Sequence, residues 1–329
     1  MYKRQRLQCA NCHDHPLDAW TQDDYHGLAA VFAGVKRGPT IRITNSGQVI
    51  HPATGEPAIP RIPGADFLPA DADNRAALVD WLVSKNNPYF SKAIVNRIWS
   101  HLMGRGLVEP VDDLRVTNPP THPALLNWLA DDFAEHEFSL RHTIRRICLS
   151  DAYARTALIP NQNSVARDFY AVANSKSLLP VVFMDAVSDV TGLQLSLGQI
   201  DSRAVSLAGL VSDSPTLDLL GRCRTDGCQV AAGGQGQLPV QLHLINGDVL
   251  NSRLRDPAGL LMKAVAEHKS SDAIVEEFYL RCYSRTPNTG ERIFWKREFA
   301  VSEERADLSK LAQDFLWALL SSEEFRTNR

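Results

Sequence analysis

The chain has 329 residues, 44% of them hydrophobic and 22% charged, with a net charge of −3. That length predicts about two domains on a prior of roughly 150 residues each, and the composition predicts a globular protein with a substantial core. The near-neutral balance gives no electrostatic footprint for nucleic acid or an anionic membrane, and no apolar run is long enough to span a bilayer.

The opening stretch MYKRQRLQCANC is polar and basic and lacks the apolar stretch of a secretion signal. A metal-type motif follows at once, an abrupt start for a domain, so an upstream portion is expected to be missing or encoded separately. The motif is Cys9-Ala10-Asn11-Cys12-His13. Two thiols and an imidazole at C-x-x-C-H spacing are what covalent attachment of a c-type haem uses. The thiols add across the two vinyl groups and the histidine ligates the iron. His15 and Asp18 follow closely, so the metal-capable stretch reads CANCHDHPLD. The same donors suit zinc or another metal, with His13 and His15 as imidazole ligands, or a redox dithiol. Two reduced structural cysteines beside a surface histidine are the remaining reading.

Residues 16–33 are expected to be helical. Thr21 is the N-cap, Asp23 and Asp24 lie in the first turn, and Tyr25, Leu28, Ala29 and Phe32 form one apolar face. His26 on this helix is expected at the surface. Residues 38–50 predict a hairpin, with Ile41 and Ile43 alternating and Asn45-Ser46-Gly47 as its turn. The span 51–70, rich in proline and glycine, is the candidate linker.

Helices are expected over 73–84 and from Pro88 to Gly104 or Gly106. On the second of these, Phe90, Ile94, Ile98 and Leu102 form an apolar stripe, and Arg97 and His101 share another face. Two more are expected at 123–136 and 139–151, the latter capped by Ser139. Residues 155–179 predict loop, and 180–191 a short helix stopped by Gly192. The span 193–237 is irregular; its Gly-rich run AAGGQGQ lacks the Lys-Ser/Thr of a phosphate-binding loop. Helices return at 238–251, 256–267, 271–284, 288–302 and 305–321. The fold class is therefore mainly α: a helical body with a small irregular N-terminal unit carrying a short β-hairpin. The expected domains are 1–70 and 71–329.

Asn96, Arg97, His101, Glu109, Asp112, Asp113 and Arg115 place acids, bases and cations within a short span. Paired carboxylates there could serve acid–base catalysis if their environments differ. The structural alternative is that Arg97 and Arg115 neutralise Asp112 and Asp113 and tie a loop to a helix end. Of the six cysteines, Cys148 and Cys282 sit in apolar helical surroundings as small core residues. Cys223 and Cys228 flank Arg-Thr-Asp-Gly. The turn favours a local disulfide, with a metal-bound or a free reduced pair as alternatives.

CANCHDHPLDAWTQDDYHGLAAVFAG resembles the closing segment of the first of two tandem domains of unknown function in planctomycete-type cytochrome-associated proteins. NPYFSKAIVNRIWSHLMGRGLVEPVDDLR and NPPTHPALLNWLADDFAEHEFSLRHTIRRICLSDAY resemble the start of the second domain. LHLINGDVLNSRL, IVEEFYLRCYSRTPNTGE and LWALLSSEEF are similar to its C-terminal half. The resemblance implies secretion, and often a separate cytochrome c-like domain upstream. It departs at Gly221-Arg222, where C-R-T-D-G-C replaces more closely spaced cysteines with acidic neighbours. That puts a common metal role for Cys223 and Cys228 in doubt.

Three functions are open on these grounds. The first is an extracytoplasmic redox protein with haem c at Cys9, Cys12 and His13, passing electrons to a redox protein or an upstream cytochrome domain. Met103, Met184 and His101 are sixth-ligand candidates by residue type, and His15 is too close to His13 to reach the opposite face. Zinc is the alternative cofactor. The second is a hydrolase-like enzyme using Arg97, His101, Asp112, Asp113 and Arg115. The third is a cell-envelope scaffold that binds its partner through 193–237.

Overall fold

The computed structural model describes residues 7–16, 19–36, 38, 40–44, 47–69, 73–84, 87, 89–115, 117–157, 164–194, 196–197, 200–201, 203–206, 215–220, 237–267, 270–300 and 305–328. Chain contacts gather the protein into two compact units, Met1–Asn174 and Ser175–Arg329. The fold is mainly α, with a small irregular N-terminal segment that carries a short hairpin.

The first unit opens with a 3-10 turn, Leu7–Asn11, followed by α1 (Gln22–Val31). Thr21 caps α1 as its sequence predicts. Thr21 Oγ1 accepts from the Asp24 N–H at 3.2 Å, and Asp24 Oδ2 accepts from the Thr21 N–H at 2.9 Å. This reciprocal box satisfies two helix-end amides. The other Asp24 oxygen accepts from Gly64 N–H at 2.9 Å. One buried carboxylate therefore starts the helix and also pins the proline-rich stretch to it.

The hairpin forms, but it closes in the opposite direction from the expected one. β1 (Val35–Lys36) pairs antiparallel with β2 (Arg42–Ile43), Val35 facing Ile43. The turn therefore precedes Ile43, and Asn45-Ser46-Gly47 does not connect the two strands. Gly34 permits this: a Cβ there would stand 2.4 Å from the Thr44 carbonyl oxygen, while Thr44 N–H donates to Gly34 O at 2.8 Å. Ile41 and Ile43 are both exposed, so their alternation does not report a buried face.

Next, α2 (Arg75–Leu82) buries Leu78 against Val31 and Ile62, with Trp81 and Leu82 packed alongside. The larger cluster of this unit lies among α3 (Phe90–Met103), α4 (Pro123–Glu135) and α5 (Leu140–Cys148). On α3 the buried ridge is Val95, Trp99 and Met103, and the expected stripe of Phe90, Ile94, Ile98 and Leu102 is partly buried beside it. The ridge is shifted because α4 and α5 both pack on α3, and Trp99 fills the space they leave. Gly104 ends α3 in the left-handed region at φ 79°, where a Cβ would be strained. The short α6 (Ser164–Asp168) precedes Tyr170, whose ring meets Trp99 edge to face.

In the second unit, β3 (Lys176–Ser177) leads into α7 (Pro180–Thr191), which starts on proline and ends on left-handed Gly192. β4 (Ser196–Leu197) and β5 (Ile200–Asp201) pair with each other. The helices α8 (Pro215–Leu219), α9 (Gln237–Asn246), α10 (Asp248–Arg255), α11 (Leu260–Ala266), α12 (Ser271–Tyr283), α13 (Thr289–Ala300), α14 (Arg305–Ser321) and α15 (Glu323–Arg326) follow. β6 (Thr327–Asn328) returns to pair with β3. The expected 238–251 helix is two helices parted at Gly247. The core centres on α14, whose Ala312, Phe315, Leu316, Leu319 and Leu320 are all buried. Arg285 holds Glu291 and Glu324 at 2.8–2.9 Å and lies over the Tyr279 and Tyr283 rings. Cys282 packs against this core, and burial pushes its thiol up to about 12, as expected for a structural residue. Cys223, Cys228 and residues 231–236 of the Gly-rich run lie outside the described residues.

Candidate functional site

Cys9 lies in the 3-10 turn and Cys12 just after it; both are free thiols, Cys9 half-buried and Cys12 exposed. The His13 ring is exposed, and its Nδ1 lies 2.7 Å from the carbonyl oxygen of Asp14. A ring that donates from Nδ1 presents the lone pair of Nε2, which is how backbone carbonyls orient metal-bound histidines. His15 is buried, and Asp18 lies outside the described residues.

The turn is held from beneath by α1. His26, expected at the surface, is only 6% exposed, and its Nε2 stands 3.0 Å from the carbonyl oxygen of Asn11 inside the motif. Its ring meets those of Tyr25 and His51 edge to face, which explains the burial. His26 Nδ1 is buried with no hydrogen-bond partner among the described residues. His51, also buried, places Nε2 3.2 Å from Asp23 Oδ1. No sequence signal points to His51: it stands in the proline-rich stretch, and only the fold over α1 brings it to His26.

The cluster at 96–115 is spread between different environments. Asn96 is fully buried. Its Nδ2 donates to the carbonyls of Val108 and Val111 at 2.9 and 2.8 Å, and its Oδ1 accepts from the Val108 N–H at 3.0 Å. It therefore ties the loop after α3 to the helix, the task expected of Arg97. Arg97 and His101 are exposed on α3. Glu109 Oε2 accepts from the Gly106 N–H at 3.0 Å. Asp113 is buried and takes a two-pronged contact from Arg115, Nε to Oδ1 at 2.5 Å and Nη2 to Oδ2 at 2.6 Å. The hydrogen bond from Arg115 outweighs the opposing effect of burial and holds the Asp113 carboxyl below its ordinary range. Asp112 is half-buried beside it. Of the residues suggested as sixth ligands, Met103 and Met184 are buried in apolar clusters.

A third group was not anticipated. Asp132 and His136 lie one helical turn apart at the end of α4, and His142 lies in the first turn of α5. Among the described residues, these three form the only group of three or more histidine, cysteine or carboxylate side chains whose ligand atoms all fall within 4.8 Å of one another. Asp132 is buried; its Oδ2 is 2.9 Å from His142 Nε2 and its Oδ1 is 2.9 Å from Arg146 Nη2. The His136 and His142 rings stack with centroids 3.7 Å apart. Burial pushes the Asp132 carboxyl up, but the hydrogen bonds from Arg146 and His142 prevail and keep it below the ordinary range. The turn between the helices runs through two left-handed residues, Glu137 at φ 55° and Phe138 at φ 56°. No glycine marks that turn, so the pattern D-x-x-x-H was the only sequence signal.

Residues 4–37 match the family model PSCyt2, described as Protein of unknown function (DUF1549). Residues 74–207 match the model PSD1, Protein of unknown function (DUF1553). The cysteine motif and His26 fall inside the first match, and the groups at 96–115 and 132–142 inside the second. No curated protein and no solved structure matches the chain. No helix among the described residues is long and apolar enough to cross a membrane.

Proposed function

Starting from a chain that belongs to the planctomycete cytochrome-associated families PSCyt2 and PSD1, both of unknown function, we propose that its N-terminal motif carries a c-type haem. The protein would then serve in electron transfer outside the cytoplasm. The observation that carries this reading is the His13 ring, exposed and tethered through Nδ1 to the Asp14 carbonyl so that Nε2 is presented. The donor set fits the group. Cys9 and Cys12 would hold the porphyrin through thioether bonds, and His13 would ligate the iron. When bound, such a group supplies one-electron transfer. The chain's own part is to fix the turn: His26 holds the Asn11 carbonyl from below, and α1 is fixed in turn by the Thr21–Asp24 box.

A zinc site at the same motif is the second reading. Tetrahedral zinc needs its thiolates and imidazole to converge on one point. The ligand atoms of Cys9, Cys12, His13 and His15 do not form a set within 4.8 Å. Haem attachment asks instead for two thiols that reach separate vinyl carbons, which an open arrangement of Cys9 and Cys12 permits. A hydrolase at 96–115 finds less support, because Asn96 and Asp113 are engaged in holding the loop.

Protein exported through a compartment with haem-attachment machinery tests the proposal. The chain is expected to keep a Soret band and to retain haem through denaturing electrophoresis. Cys9→Ala and Cys12→Ala together should abolish that retention. A colourless chain that holds one equivalent of zinc which Cys9→Ala and Cys12→Ala together remove would transfer the motif to the second reading.

A further inference from the structure

We infer that Asp132, His136 and His142 form a second metal site, one that takes a zinc-class divalent ion and is independent of the cysteine motif. Two imidazoles and one carboxylate are the donor set that borderline divalent ions prefer, and with three protein ligands a fourth position is left for water. The local fold explains why they meet. Asp132 lies on α4 and His136 caps its end four residues on, with the His136 N–H donating to the Asp132 carbonyl, so the two share a face. The left-handed turn at Glu137 and Phe138 then sets His142 onto His136. Left-handed non-glycine residues are strained and gather where a particular geometry is being held.

The spacing suits an ion. With ligand bonds of about 2.0–2.2 Å, nitrogen and oxygen across a tetrahedral ion stand roughly 3.3 Å apart. His142 Nε2 and Asp132 Oδ2 stand 2.9 Å apart; His136 Nδ1 lies 3.6 Å from the other oxygen, Oδ1, and 2.8 Å from the Asp132 backbone carbonyl oxygen, so the His136 ring must leave that carbonyl to join an ion on Oδ2. Movements of a few tenths of an ångström would let an ion replace the proton shared by His142 and Asp132. Arg146, on the other carboxylate oxygen, then acts as the outer partner that fixes the carboxylate. The site also has access to space: His142 lines a cavity of about 510 Å³ together with Trp99, Trp128, Arg145 and Arg146. With three protein donors, and one of them, His142, on the wall of that cavity, the group is of the open kind of metal site rather than the closed structural kind.

Cobalt(II) titration of the whole chain carrying Cys9→Ser, Cys12→Ser, Cys223→Ser and Cys228→Ser tests this without interference from the paired thiols. One equivalent should bind with visible d–d absorption and no thiolate charge-transfer band, and zinc should displace it. His136→Ala removes an exposed side chain and should leave the fold intact by circular dichroism. Both His136→Ala and His142→Ala should weaken cobalt by more than the roughly 10–100-fold that loss of an outer partner causes. No stoichiometric cobalt spectrum, or an affinity unchanged in either histidine variant, overturns the inference.

Discussion

His26 Nε2 stands 3.0 Å from the carbonyl oxygen of Asn11, so the middle of α1 grips the inside of the C-x-x-C-H turn. The contact joins residues 15 positions apart and is buried on the His26 side. His26→Ala is therefore expected to lower stability by about 1 kcal/mol, the net value of one such hydrogen bond. It should also loosen the turn. Denaturant titration reads the first effect. Limited proteolysis near residue 12 reads the second, and unchanged cleavage there would mean the turn stands without His26.

The Thr21–Asp24 box and the Asp24 bond to Gly64 rest on one carboxylate. Asp24→Ala removes both. The expected loss is about 2 kcal/mol, larger than the roughly 1 kcal/mol expected for Thr21→Ala, which removes only a cap. Unfolding midpoints of the two variants check the order. Equal losses would show that the Gly64 tether contributes nothing.

Asp113 and Arg115 carry a pH dependence with a definite sign. The folded Asp113 carboxyl lies below its ordinary value because Arg115 donates to it. A depressed carboxyl contributes stability that is present above its unfolded value of about 3.9 and is lost as pH falls through the folded value. Arg115→Ala should cost about 1–3 kcal/mol at neutral pH. It should also flatten the acid limb of the stability curve below about pH 4. A variant that keeps the wild-type midpoint at neutral pH would show that the contact is not a stabilising one.

Glu137 holds a left-handed conformation at φ 55° in the α4–α5 turn. Glycine adopts that region without steric cost, so Glu137→Gly is expected to raise stability by about 1 kcal/mol. Thermal unfolding measures it. A lower melting temperature would mean that the glutamate side chain contributes more than its backbone costs.

Much of the local fold was legible because it is written in neighbouring residues. Thr21 with Asp24, Gly104, Ser139 and Gly192 end or begin helices where their chemistry requires. The hairpin was misdirected because two turn-forming stretches flank Ile41–Ile43, and Gly34, with no Cβ, tipped the pairing backwards. The C-x-x-C-H motif announces itself by spacing, whereas His26 and His51 reach it only through the packing of α1 against the proline-rich stretch. Asp132, His136 and His142 stayed hidden because the turn that joins them uses Glu137 and Phe138 in a conformation that sequence rules reserve for glycine. Asn96 stands in sequence within a reactive-looking cluster, because a polar residue facing backbone carbonyls cannot be told in sequence from one facing a substrate.

Intact-mass measurement of the full chain, exported with haem-attachment machinery and alkylated without reduction, tests the central claim most directly. The expected result is a mass raised by one haem, with Cys9 and Cys12 both protected from alkylation. A chain whose mass includes no haem and in which Cys9 and Cys12 both carry the alkyl group would contradict it.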